Sequence, residues 1–64
     1  MYKFNGDYYT LVETITRGAI NNNLTPKESF IKFIDLVSLE SILETLENAN
    51  KTVEDLYKDV HPKN

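Results

Sequence analysis

Asn21-Asn22-Asn23-Leu24-Thr25-Pro26-Lys27-Glu28-Ser29-Phe30 is the stretch that decides the fold. The asparagine run stops one helix, because Asn tolerates turn and left-handed conformations. Thr25 then offers its hydroxyl as the N-cap of the next helix. Pro26 falls at the first helical position, where its missing N–H costs nothing, and Glu28 can reach back to close a capping box. A helix therefore begins at Thr25. The residues Phe30, Ile31, Phe33, Ile34, Leu36 and Val37 carry its apolar pattern to about Val37.

Towards the N-terminus, Tyr8, Leu11, Val12, Ile15 and Ala19 recur at helical spacing. They predict a first helix from about Tyr8 to Ile20, with Asp7 as its N-cap. The same segment is rich in residues that favour strands, and Asn5-Gly6 is a hairpin-turn pair preceded by Tyr2 and Phe4. A hairpin of residues 2–4 with 7–12 is thus the alternative. Helix is preferred because Tyr8-Tyr9 and Leu11-Val12 break strict alternation.

Towards the C-terminus, Ser38 reads as the next N-cap, followed by an apolar stripe of Leu39, Ile42, Leu43 and Leu46 that ends near Ala49-Asn50. Thr52, with Asp55 three residues on, opens a short last helix whose stripe is Val53, Leu56, Tyr57 and Val60. His61-Pro62 ends it, since a residue before proline is pushed out of the helical region. Pro62–Asn64 is expected to be a frayed tail. The expected fold is all-α: one domain, residues 1–64, a compact bundle of three longer helices plus a short C-terminal one.

At 64 residues without cysteine, nothing covalent staples this bundle. A domain of this size buries only about 60% of the surface its unfolded chain exposes, so packing and capping must suffice. The formal charge is −3, and the seven basic residues are scattered rather than clustered. Phosphate binding wants a clustered basic excess, so direct nucleic-acid binding is disfavoured. The residues Met1–Asp7 lack the apolar run of a secretory signal, and no stretch has the roughly 18 apolar residues of a membrane span. The expectation is a cytoplasmic protein with no membrane partner.

Chemistry finds little purchase. His61 is the single histidine and adjoins a proline; with no cysteine, a zinc set cannot be assembled. Ser29, Ser38 and Ser41 have no histidine near them in sequence. Gly6 and Gly18 are too few for a phosphate-cradling loop. Neither catalytic residue, metal nor cofactor is expected, and the chain is not read as an enzyme.

Three surface features point to binding instead. Glu40, Glu44 and Glu47 recur at i, i+4, i+7 on the outer face of the third helix, with no basic residue on that helix to offset them. Glu54, Asp55 and Asp59 of the last helix extend this acidic ridge, partly balanced by Lys58. The second helix is apolar over roughly 220° at 100° per residue, which suits a central helix with the other three around it. It leaves Ile31 and Leu36 at the ends of the arc as candidate anchors, or as the interface of a homodimer. Tyr9, on a shoulder of the first helix with Ile20, is the third candidate anchor.

Leu24-Thr25, Leu36-Val37-Ser38, Ser41-Ile42 and Leu46-Glu47-Asn48 loosely resemble repressor-type helix-turn-helix domains, over about a third of the chain. Such domains often show a Leu-Thr start and a Val-Ser at the second motif helix. Here two extra residues separate Thr25 from Val37, and Leu36 replaces the turn glycine. The resemblance implies DNA reading by the second motif helix. That helix would present Glu40, Glu44 and Glu47, where readers present Arg and Lys. No family is assigned on it.

The expected function is a small acidic protein-binding module, acting as a regulator, adaptor or inhibitor by occluding a basic partner surface. Glu40, Glu44, Glu47, Tyr9, Ile31 and Leu36 are its candidate binding residues. The alternatives are a helix-turn-helix nucleic-acid binder and a structural homo-oligomer.

Overall fold

The computed structural model describes residues 1–61. Four helices follow one another: α1 (Tyr8–Asn22), α2 (Pro26–Ile34), α3 (Leu39–Asn48) and α4 (Val53–Asp59). The architecture is all-α, as expected. The tail beyond His61 lies outside the described residues.

Each helix starts where its capping residue places it. The Asp7 carboxylate accepts from the Thr10 N–H at 2.8 Å. Thr25 and Glu28 form the reciprocal capping box at 3.2 and 2.9 Å, and Thr52 and Asp55 form a second at 3.1 and 2.9 Å. The Ser38 hydroxyl accepts from the Ser41 N–H. These bonds satisfy N–H groups that have no partner within the helix.

The helix ends differ from expectation in two places. α1 runs through Asn21 and Asn22, and only Asn23 leaves it, at φ 55°. The Leu24 N–H then closes onto the Ala19 carbonyl at 2.8 Å, a left-handed cap that Asn adopts more readily than most residues. α3 ends the same way. Asn50 takes φ 58°, and the Lys51 N–H reaches the Leu46 carbonyl at 2.9 Å.

The second difference is that α2 stops at Ile34 rather than Val37. Leu36, Val37 and Ser38 instead meet the N-terminal segment. The Tyr2 N–H donates to the Leu36 carbonyl at 3.0 Å, and the Ser38 N–H donates to the Tyr2 carbonyl at 2.7 Å, a single parallel bridge between Tyr2 and Val37. This long-range pairing also replaces the alternative hairpin: Tyr2 finds its partner near residue 37, leaving residues 8–12 free to be helix.

The core is built around α1. Tyr8, Leu11, Ile15 and Ala19 are all buried on it, against Phe30 of α2, Ile42 and Leu46 of α3, Leu56 of α4 and Val60. The expectation that the second helix is central is thus corrected. Shortened at Ile34, α2 buries Phe30 and Ser29, while Phe33 and Ile34 only lean on the core edge. Ser29 is also inside, where its hydroxyl donates to the Ile15 carbonyl at 2.7 Å. The two helices meet closely here, because a Cβ on Gly18 would lie 3.0 Å from the Ser29 Oγ.

Candidate partner-binding surface

The orientation of α3 decides what it shows to water. On a wheel at roughly 100° per residue, Ser41, Thr45, Ile42 and Leu46 follow one another around one side of the helix. Ser41, Ile42 and Leu46 are buried, and Thr45 is half-buried. Ser41 is drawn inward by two bonds: its hydroxyl accepts from the Phe4 N–H at 2.9 Å and donates to the Ser38 carbonyl at 2.7 Å. With the core side centred there, the far end of the apolar stripe turns out. Leu39 is 44% exposed and Leu43 45%.

Next around the helix come Glu40, Glu44 and Glu47, all exposed. Among the described residues the ion pairs are Arg17–Glu13 at 3.3 Å and Lys51–Asp59 at 3.8 Å, so no basic side chain pairs with these glutamates. The outer face of α3 is therefore an acidic strip bordered by two exposed leucines.

The acidic ridge does not extend evenly onto α4. Asp55 is held in its capping box, where the Thr52 N–H donates to its carboxylate and, with the Thr52 hydroxyl beside it, keeps the carboxyl below the ordinary value of 3.8. Asp59 is taken up by the N-terminus of α1: the Tyr8 hydroxyl donates to its carboxylate, and Lys51, whose ammonium lies 5.3 Å from the centre of the Tyr8 ring, pairs with it. Burial, and then this carboxylate, push the Tyr8 phenol well above its ordinary 10.0. Of the three acids assigned to this part of the ridge, Glu54 is exposed and has no such engagement.

The three proposed anchors are exposed, at 81% for Tyr9, 54% for Ile31 and 64% for Leu36. They do not line one common hollow. Leu36 lines a hollow of about 460 Å³ between α1 and α2, whose walls include Gly18, Asn22 and Phe33. Tyr9 lines a separate hollow of about 320 Å³ with Val12, Lys51 and His61. Ile31 borders neither.

Leu39 and Leu43 are the surface residues that pattern reading missed, because they had been counted with the core stripe. Their one sequence signal was position, at the margin of that stripe beside the glutamates.

The serines are accounted for by structure. Ser29 and Ser41 hydrogen-bond backbone groups, and Ser38 is a cap. No known protein family, curated protein or solved structure matches the chain. Among the described residues no helix is long and apolar enough to cross a membrane.

Proposed function

We propose that this chain is a small, non-catalytic protein-binding module that regulates or inhibits a partner by covering a basic surface with the outer face of α3. The observation that supports this reading is the juxtaposition of Glu40, Glu44 and Glu47, without basic partners among the described residues, with the exposed Leu39 and Leu43. Complementary charge would speed encounter and select the partner, and the apolar contact would slow its release. Tyr9 and Leu36 line separate hollows, Ile31 borders neither, and all three are secondary candidates. A homodimer through α2 would use Ile31 and Leu36, since the core takes up much of the rest of its apolar arc.

The test is capture from a lysate of the source cell on the tagged chain, with and without nuclease. Capture of a protein that survives nuclease and is lost with Glu40/Glu44/Glu47→Lys supports the reading. Capture abolished by nuclease favours the nucleic-acid alternative. No capture by a chain that elutes as an oligomer favours self-assembly.

A further inference from the structure

We infer that the leucine edge of α3, together with the hollow beyond Leu43, is a docking groove for a basic amphipathic helix of the partner protein. This inference rests on the binding role proposed above and names the partner's form. Leu39 and Leu43 are one turn apart, so they make a short apolar rail along the helix axis. Past Leu43 the rail opens into a hollow of about 310 Å³ whose apolar wall is Leu43, Leu46 and Val53, with Glu47 and Lys51 at its edge.

A helix laid along this rail sets residues at i and i+3 or i+4 on the leucines and a residue at i+7 into the hollow, the spacing by which amphipathic helices enter grooves. Its flank then passes over Glu40, Glu44 and Glu47. Lys51 does not neutralise that flank, because its ammonium is turned to Asp59 and the Tyr8 ring.

Charge selects among the possible occupants. A second copy of this chain docked through α3 would set its own three glutamates against these. Nucleic acid meets the same repulsion. A helix flanked by Lys and Arg meets complementary charge and buries both leucines.

The experiment is selection of a displayed library of helical peptides, roughly 18 residues or about five turns long, on the immobilised full chain. The expected winners are net basic, with apolar residues at i, i+3 or i+4, and i+7. Their affinity should fall about tenfold with Leu43→Ser or Leu39→Ser, as loss of a leucine contact requires. It should weaken with added salt and stay unchanged with Ile20→Ser, which alters an exposed apolar side chain on α1. Amide shift mapping on the native chain, which depends on no variant, should place the changes at residues 39–47 and 50–53.

Basic peptides that bind Leu39→Ser and Leu43→Ser as well as the native chain would overturn the groove and leave the proposed function standing. Winners that are acidic or uncharged yet need both leucines would overturn the charge argument and the proposed function with it. A library that yields no binder would overturn the helix-docking inference.

Discussion

The Phe4 N–H donates to the Ser41 hydroxyl at 2.9 Å, across 37 positions of sequence. This contact helps hold the Ser41 side of α3 against the N-terminal segment and so helps turn Leu39 and Leu43 to water. Ser41→Ala should leave the part-buried Phe4 N–H without its acceptor, at a cost of about 1–2 kcal/mol. Urea denaturation should show a lower midpoint with an unchanged slope.

Asn23 and Asn50 end their helices at φ 55° and 58°. A left-handed backbone costs a residue with an ordinary side chain roughly 1–2 kcal/mol, and Asn less. Asn23→Ala and Asn50→Ala should each destabilise the fold by about 1 kcal/mol, and the two effects should add. Replacement by glycine should be neutral or slightly stabilising. Thermal unfolding checks this, since for a domain of this size 1 kcal/mol is worth about 4–8 °C in Tm.

Gly18 faces the Ser29 hydroxyl, and an added Cβ would stand 3.0 Å from it. Alanine gains about 1 kcal/mol in helix propensity, whereas overpacking costs about 1–3 kcal/mol. Gly18→Ala is expected to destabilise slightly on balance. Combined with Ser29→Ala, which removes the obstructing oxygen, it should be less harmful than the two single changes predict. A double-mutant cycle measures that coupling.

Tyr8 donates to Asp59 and holds its proton above the ordinary 10.0. The folded state thus keeps a proton that the unfolded state releases above pH 10. Stability from this group is fully present below that pH and is lost as pH rises through the folded value. Tyr8→Phe should lower stability at neutral pH by about 1 kcal/mol, since the acceptor is charged but partly exposed. It should also flatten the decline in stability above pH 10. Denaturation at pH 7 and pH 11 tests both.

The four helix starts were legible in the sequence because caps are local: Asp7, Thr25, Ser38 and Thr52 each bind a group three residues away. What escaped was long-range. Nothing near Leu36 announces that Tyr2 will take its carbonyl, so α2 read three residues too long and its apolar arc too wide. That excess length suggested a central second helix, where α1 is the buried one. On the candidate surface, the spacing of Glu40, Glu44 and Glu47 showed that they share a face. The exposure of Leu39 and Leu43 was hidden, because a stripe names neighbours without saying which edge meets the core. That edge depends in part on the Phe4–Ser41 bond.

The outer face of α3, rather than Tyr9, Ile31 or Leu36, is proposed to bind the partner. The most direct measurement is parallel quantitative capture on three folded forms: the native chain, Glu40/Glu44/Glu47→Lys, and Tyr9/Ile31/Leu36→Ser. The same nuclease-resistant protein is expected to be retained by the native and the serine forms and lost from the lysine form. Retention by the lysine form with loss from the serine form would contradict it and move the interface to the other faces of the bundle.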